Sequence, residues 1–248
     1  MKITLLLTGC VNPNGMAFTK LQNKQLRKQQ YQTAIKWYVE NTDFNVVFVE
    51  NSLSDFSYLI DDTNKKRLEV FSFDGNNYDR SLGKGYGEGL IVKYALENSS
   101  IIAHSDVIIK ITGRLVVSNI KEIIAKHHKE IIDKSIICDV NRKVTVAFSR
   151  IVIAPIDFWK HYFMKSINKI NDTCHYEFEN ALATSIREAV ATQSTKLCLF
   201  KLPYILEGIS GSDGTPIENK SYLVIRLKYI LFRMGIWASF KIKVKEEL

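Results

Sequence analysis

The sequence predicts an α/β protein with a mainly parallel sheet. Its first half alternates short apolar runs with helical patterns, and turn-forming residues follow most of the runs. Continuous apolar runs are typical of strands buried between two helical layers, and strict alternation favours parallel strands joined by right-handed crossovers. The strands are predicted at residues 3–7, 44–49, 68–73 and 107–111, and the helices at 19–41, 54–61, 88–98 and 119–129.

The pattern changes after residue 134. Residues 135–140 and 143–154 are β-rich with a polar turn between them, which predicts antiparallel additions to the sheet. Helices are predicted at 157–168 and 176–191. No repeat or low-complexity linker divides the chain, so we expect one domain over residues 1–205 and a C-terminal segment over 206–248.

The composition narrows the class of protein. The chain has 248 residues, 46% hydrophobic and 24% charged, as in globular proteins, and a net charge of +8. A basic balance favours phosphorylated ligands, polyanions or acidic membranes, although a lysine-rich low-GC bacterial composition explains it equally well. The four scattered cysteines predict neither a zinc site nor a disulfide framework. The sequence predicts no signal peptide and no transmembrane helix, hence a cytoplasmic protein.

Glycines alternate with larger residues from Gly83 to Gly89, where the sequence reads GKGYGEG. Glycine lets a backbone approach a ligand closely, so this run predicts a binding loop that includes Lys84, Gly85 and Glu88. The alternative is a flexible turn before a helix, with Glu88 favoured at the positive helix N-terminus.

Two cations follow the fourth predicted strand, in the sequence Lys110-Ile-Thr112-Gly113-Arg114. Ligands of open α/β sheets bind at the carboxyl ends of the strands, and Lys and Arg both suit phosphate oxygens. These residues therefore predict a phosphate or diphosphate site. The alternative is a structural pair between Lys110 and an aspartate, with Arg114 on the surface.

The order of elements, the approach His104–Ile109 and the phrase GKGYGE…KITGR resemble the GT-A class of nucleotide-sugar glycosyltransferases. The likeness is strongest to bacterial enzymes that build lipopolysaccharide O-antigen or capsule, and it covers residues 1–190. In that class an Asp-x-Asp motif after the strand holds a divalent metal on the diphosphate. Here Lys110 and Arg114 replace it, which implies a metal-independent variant without cofactor. Bound Mg²⁺ or Mn²⁺ stays an alternative, with Asp139 as a weaker candidate ligand.

The same resemblance assigns further residues to the donor. It implies that Thr8 and Gly9 border the nucleobase and that Arg27 and Asn51 line the base and ribose. Lys84, Gly85 and Glu88 would shape the sugar pocket. The alternatives are that Arg27 is a solvated helix residue and that Asn51 caps a helix.

Sugar transfer with inversion also needs a general base for the acceptor hydroxyl. The segment from His175 to Leu182 resembles the acidic motif that carries this base in GT-A enzymes. Glu177 and Glu179 are two residues apart on a predicted helix and point to different faces, so only one can face the site. We select Glu179; the alternatives are carboxylates that complement the helix dipole, or His175 as the base.

The C-terminal segment begins with a loop over residues 206–216, which acts either as a lid over the ligand or as a connector. Residues 219–248 carry seven Lys or Arg and two Glu among apolar residues, with Arg226 and Arg233 on one helix face. Such a pattern is typical of a helix at a membrane interface, and the alternative is a helix docked on the core.

Taken together, the sequence predicts an inverting transferase that moves a hexose from a nucleotide diphosphate sugar, most simply a UDP-sugar, to a lipid-linked glycan. It would work at the inner face of the cytoplasmic membrane, without nucleic acid as a partner. The rivals are a nucleotidyltransferase, which needs metal-binding carboxylates, and a basic protein that binds nucleic acid.

Overall fold

The computed structural model describes residues 1–17, 19–210, 214–217, 224, 226, 227, 229–232, 234 and 235. The strands are β1 (Ile3–Gly9), β2 (Asn45–Glu50), β3 (Leu68–Ser72), β4 (Val107–Thr112), β5 (Val116–Val117), β6 (Ile136–Ile137), β7 (Ile151–Pro155), β8 (Leu197–Cys198) and β9 (Leu206–Glu207). The helices are α1 (Lys24–Asn41), α2 (Gly83–Asn98), α3 (Ser100–Ala103), α4 (Ile120–Lys126), α5 (His128–Ile132), α6 (Ile156–Phe158), α7 (Met164–Ser166) and α8 (Phe178–Ala191).

The main sheet has seven strands in the order β3-β2-β1-β4-β7-β6-β8. Strands β1 to β4 are mutually parallel, β7 runs antiparallel to β4 and β6, and β8 is parallel to β6. A mainly parallel sheet flanked by helices, with antiparallel additions, is thus confirmed as the fold class. A separate two-stranded ribbon joins β5 to β9.

The continuous apolar runs of the strands supply a core on each face of the sheet. In β1, Leu5 and Leu7 enter the core that contains α1, whereas Leu6 enters the core that contains α2 and α8. All three are fully buried. Successive side chains of a strand point to opposite faces of the sheet. When helices cover both faces, both sets of side chains are buried, and the strand sequence is an apolar run and not an alternation of apolar and polar residues.

The main correction to the predicted elements concerns the glycine run. The structure places it in the first turns of α2, which begins at Gly83 and not at residue 88. The four glycines from 83 to 89 are buried within this helix. Tertiary packing therefore outweighs the low helix propensity of glycine. The remaining helix and strand bounds also shift: α1 begins at Lys24, where Asn23 caps it, and residues 141–150 lie outside the strands.

The predicted helix at 157–168 is a continuous but irregular helical run. It combines α6 and α7 with a π-helical turn at Trp159–Phe163 and a 3-10 turn at Ile167–Lys169. Further 3-10 turns lie at Ser57–Leu59, Arg80–Leu82 and Asp172–Cys174.

The C-terminal segment contacts the domain at two places. Strand β9 pairs with β5, and Ile209 bridges Pro216, so the described residues of the segment left open as a lid or a connector fold back as a hairpin. The described residues between 224 and 235 are helical, and the hydroxyl of Tyr229 donates to Asp139 Oδ1 at 2.9 Å. Residues 211–213, Arg233 and residues 236–248 lie outside the described residues. Within the described part of the chain, no helix is long and apolar enough to span a bilayer.

Candidate active site

A cavity of about 290 Å³ opens at the carboxyl ends of the parallel strands. Their register brings Thr8 of β1 level with Val49 of β2 and Thr112 of β4, so the residues after these strands meet at one edge. Nine of the twelve predicted site residues line this cavity: Thr8, Gly9, Arg27, Asn51, Lys84, Glu88, Thr112, Arg114 and Glu179. The other three, Gly85, Lys110 and Gly113, lie behind its wall.

Gly113 makes the wall possible. Its N–H donates to the carbonyl of Thr8 at 2.9 Å, and a Cβ at this position would lie only 2.6 Å from that oxygen. A side chain would thus push the end of β4 away from the end of β1. Gly113 therefore acts on the backbone and not through contact with the cavity.

Lys110 does not occupy its predicted place at the cavity. The side chain is fully buried, forms an ion pair with Glu88, and donates from Nζ to the carbonyl of Ser149 at 2.8 Å. Nζ also lies 4.9 Å from the centre of the Phe178 ring. A buried ammonium is stable only with such partners, and Glu88 on α2 supplies the charge. Lys110 therefore forms the structural ion pair that the sequence left open as the alternative, but its partner is a glutamate and not an aspartate.

Glu88 joins this buried lysine to the cavity. Its Oε1 accepts from Lys110 and from the hydroxyl of Thr8 at 3.0 Å, while a quarter of the side chain stays exposed. Within the described residues, Oε2 makes no hydrogen bond. Burial works to raise the pKa of Glu88, but the charge and hydrogen bond of Lys110, aided by Thr8, outweigh it and lower the pKa. Glu88 is therefore an ionised carboxylate whose Oε1 is hydrogen-bonded to Lys110 and Thr8 and whose Oε2 is available to a ligand.

Glu179 is the second carboxylate of the cavity. Its Oε1 accepts from the hydroxyl of Ser149 at 2.6 Å. Burial raises the pKa of Glu179, and the nearby charge of Glu88 adds to this against the hydrogen bond from Ser149. Glu177, by contrast, is the exposed N-cap of α8. Of the two carboxylates that the sequence left open, only Glu179 lines the cavity.

Besides Arg27, two arginines line the cavity, Arg114 and Arg150. Arg114 is half-buried and donates from Nε to the carbonyl of Ile209 in the hairpin, and its Nη atoms bind no other described residue. Arg150 has an exposed side chain, and its carbonyl accepts from Thr112 N–H at 3.1 Å. Sequence reasoning missed Arg150 and Ser149. The available signal was their place before β7, which starts at the carboxyl end of its antiparallel partner β4.

Arg27 supports the cavity wall from α1. Its side chain is 4% exposed, and the guanidinium donates to the carbonyls of Cys10 and Leu21 at 2.8 and 3.2 Å. Nη2 lies 3.3 Å from the hydroxyl of Tyr31. Because these groups occupy its donors, Arg27 fixes the loop between β1 and α1; it is not a solvated helix residue.

Asn51 presents an unpaired oxygen. Its Nδ2 donates to the carbonyls of Gly75 and Gly87 at 3.3 and 3.5 Å, which fixes the orientation of the amide because only the NH₂ can face a carbonyl. Oδ1 is buried and has no hydrogen-bond partner among the described residues. The neighbouring Glu50 is fully buried and shapes the rim, since its carboxylate accepts from the backbone N–H groups of three loop residues, Val11, Ser52 and Ser54.

Gly85 has a packing role and lies outside the cavity. Its N–H donates to Asp172 Oδ2 at 3.2 Å, and a Cβ would lie 2.7 Å from Oδ1 of the same carboxylate. The neighbouring Lys84 and Gly87 line the cavity instead. The helical conformation of the glycine run explains this difference, because alternate residues of a helix do not share one face.

The two remaining candidates are Asp139 as a metal ligand and His175 as an alternative base, and the structure gives little support to either role. No cluster of three or more metal-ligating side chains occurs among residues 1–17, 19–210 and the described parts of the C-terminal segment. Asp139 accepts from the N–H of Phe200 and from Tyr229. His175 is exposed in a left-handed backbone conformation at the end of a short 3-10 turn. Metal independence itself stays a prediction.

No protein-family model and no curated protein sequence match this chain. Its fold is similar to that of a cytidylyltransferase from Leptospira borgpetersenii, with 12% identity, TM-score 0.46 and coverage of 95% of this chain and 96% of that one. Galactosyltransferase LgtC, in complex with donor and acceptor sugar analogues, is 8% identical with TM-score 0.44, covering 80% and 73%. Mouse xyloside xylosyltransferase 1 is 10% identical with TM-score 0.43, covering 80% and 84%. Likenesses of this size do not identify a family.

Proposed function

We propose that the protein is a glycosyltransferase that uses a nucleotide diphosphate sugar. The observation that carries the proposal is one cavity lined by Arg114, Arg150 and two carboxylates, Glu88 and Glu179, whose pKa values are shifted in opposite directions. Such a set matches the parts of a sugar transfer: a leaving diphosphate to neutralise, a sugar to hold and an acceptor hydroxyl to deprotonate. The resemblance of the sequence to GT-A enzymes supports the same class.

Arg114 and Arg150 would bind the diphosphate. A guanidinium group offers a planar pair of donors that matches phosphate oxygens, and both side chains line the cavity beside Thr112. Preorganised cations that meet the charge on the leaving group are commonly the largest contribution to catalysis. This assignment keeps Arg114 in its predicted role and replaces Lys110 with Arg150.

Glu179 would be the general base. As the acceptor oxygen attacks the anomeric carbon, the bond from that carbon to the diphosphate oxygen breaks, and the hydroxyl proton passes to Glu179. The product carries the opposite anomeric configuration. A carboxylate with a raised pKa is a stronger base than an ordinary glutamate.

The nucleoside would lie near Thr8, Gly9 and Asn51. The unpaired Oδ1 of Asn51 needs an N–H or O–H donor, and a uracil ring or a ribose hydroxyl supplies one. We therefore propose a UDP-sugar as donor, with the hexose beside Lys84 and Glu88.

The test is a binding screen of the full chain against UDP-, GDP-, CMP- and dTDP-sugars, with and without Mn²⁺, followed by turnover of the donor that binds. We expect Arg150→Ala to weaken donor binding by about 10- to 100-fold, the loss of one hydrogen-bonded ion pair. Arg142→Ala is the matched control, since Arg142 is exposed in the same loop outside the cavity wall.

The same assays separate the rival functions. If the protein releases pyrophosphate from a nucleoside triphosphate, and EDTA abolishes this release, a nucleotidyltransferase is favoured instead. Salt-sensitive nucleic-acid binding without donor binding would contradict both.

The acceptor is proposed to be a lipid-linked glycan of bacterial surface polysaccharide synthesis, met at the inner face of the cytoplasmic membrane. The helical residues after 223 support it, because Leu227, Leu231 and Met234 are about 60% exposed and share one side of the helix. Arg226 is also exposed.

Liposome co-sedimentation tests the membrane contact. The double variant Leu227→Ser with Leu231→Ser should partition roughly tenfold less onto anionic vesicles, since two apolar side chains no longer leave water. Ile132→Ser removes an equally exposed apolar residue from α5 and should change nothing. Equal partitioning of the double variant would argue for a water-soluble acceptor.

A further inference from the structure

We infer that Glu88 selects the transferred sugar by binding its hydroxyl groups, and that Lys110 is the positioning residue that holds Glu88 for this task from behind the cavity wall. The inference rests on the proposed function and adds to it a specificity determinant and its support.

The contacts of Lys110 show that it cannot reach a ligand. Its ammonium has three N–H donors. One points to Glu88 Oε1, one to the carbonyl of Ser149, and the face of the Phe178 ring lies within cation–π distance. The side chain has no exposed surface. Its effect on a bound molecule must therefore pass through these three neighbours.

Those neighbours belong to three elements that meet at the cavity. Glu88 lies on α2, Ser149 precedes β7, and Phe178 is the first residue of α8. Ser149 in turn donates its hydroxyl to Glu179. Lys110 on the central strand β4 thus sets the positions of both cavity carboxylates relative to each other.

The open oxygen of Glu88 is suited to hydroxyl groups. Lys110 and Thr8 both bind Oε1, which prevents rotation of the carboxylate and leaves Oε2 without a partner among the described residues. An ionised carboxylate is an acceptor only, so it favours hydroxyl donors and repels phosphate. A site built to bind a substrate hydroxyl rejects an analogue that lacks it far more strongly than an apolar pocket rejects a missing methylene.

The charged groups that face Glu88 agree with this role. Lys110 from β4 and Arg114 from the loop after it favour the ionised form, Thr8 from β1 donates to it, and Glu179 from α8 opposes it, since the two carboxylates repel each other. With Lys110 present, cations outweigh the opposing carboxylate. Without Lys110, burial and Glu179 would both favour protonation of Glu88.

The experiment compares binding of UDP, of the UDP-hexose that the screen identifies, and of its monodeoxy analogues. UDP alone reports the nucleotide site, and the ratio of hexose to deoxyhexose affinity reports Glu88. We expect the wild type to prefer the parent sugar by about 100-fold or more over at least one deoxy analogue. In Glu88→Gln that ratio should fall below about tenfold while UDP still binds. Glu97→Gln, the same change on an exposed turn of α2, should leave the ratio unchanged.

Lys110→Met tests the positioning role. In this variant the preference for the parent sugar should become pH-dependent and decline as the pH is lowered, because Glu88 takes up a proton more readily without its cation; Lys110→Arg should restore the wild-type profile. Should Lys110→Met fail to fold, Glu88→Gln and the double variant Lys110→Met with Glu88→Gln decide. An unchanged sugar ratio in Glu88→Gln overturns the inference and leaves the proposed function standing. Failure of UDP and of every nucleotide sugar to bind the wild type removes both.

Discussion

Glu88 and Glu179 line the same cavity, yet the structure treats them in opposite ways. Glu88 accepts from an ammonium group, and its pKa is lowered; Glu179 accepts from the neutral hydroxyl of Ser149, and its pKa is raised. Both groups are largely buried, so burial alone does not separate them. The groups next to a carboxylate therefore set the direction of its pKa shift, and with it whether the carboxylate stays ionised or can accept a proton.

The largest expected effect is on Glu179. Glu179→Gln should lower kcat by roughly 10²–10⁴-fold, the usual contribution of a general base. In the wild type the rate should rise with pH through the raised pKa of Glu179, because the base works only when ionised; the variant should lack this rise.

Steady-state kinetics over pH 4 to 9 checks this. Glu177→Gln is the control, since Glu177 lies outside the cavity wall at the exposed start of α8 and should leave turnover near the wild-type value. If Glu177→Gln is the inactive variant, the two carboxylates of α8 have been assigned the wrong way round.

The next effect concerns stability. Lys110→Met should lower the free energy of unfolding by about 3 kcal/mol at pH 7, because Glu88 is left buried without its cation. The folded state lowers the pKa of Glu88, so the ion pair stabilises the protein above the ordinary glutamate pKa and is lost as pH falls through the lowered value. The deficit of the variant should therefore shrink in acid.

Urea denaturation measures this loss in the free energy of unfolding. The double variant Lys110→Met with Glu88→Gln should recover most of the loss, whereas Lys93→Met, which removes an exposed cation from α2, should cost less than about 0.5 kcal/mol. A double variant no more stable than Lys110→Met would show that the lysine acts through Ser149 or Phe178 instead.

The smallest expected effect concerns Ser149, whose hydroxyl donates to Glu179. Ser149→Ala removes the hydrogen bond that lowers the pKa of Glu179, so the rise of rate with pH should move to higher pH. The rate at pH 7 should fall by about tenfold, the low end of the cost of one hydrogen bond to a charged group. Ser149→Thr keeps the hydroxyl and should retain the wild-type profile; a shifted profile in Ser149→Thr would mean that packing, not the hydrogen bond, sets the pKa.

Much of the site could be predicted from the sequence. Thr8, Asn51, Thr112 and Arg114 follow apolar runs, and parallel strands bring such residues to one edge whatever the details of packing. Arg150 escaped prediction because the sequence placed it inside a predicted strand at 143–154, whereas β7 starts at Ile151 and its antiparallel pairing with β4 leaves Arg150 at the edge with the cavity. Glu179 could be chosen only on resemblance, since the apolar residues Phe178, Leu182 and Ile186 mark the buried face of α8 but do not say that this face borders a cavity.

By itself the sequence determined the class of fold, since a regular alternation of apolar strand and helix leaves few ways to bury both faces of a sheet. It also determined where the polar residues gather along the chain. Only the tertiary structure decided what each charge does. Lys110 and Arg114 are four residues apart, but one points into a core, where α2 supplies a partner, and the other lies beyond the strand at the cavity. The cost of burying an unpaired charge depends on neighbours distant in sequence, which no local pattern records.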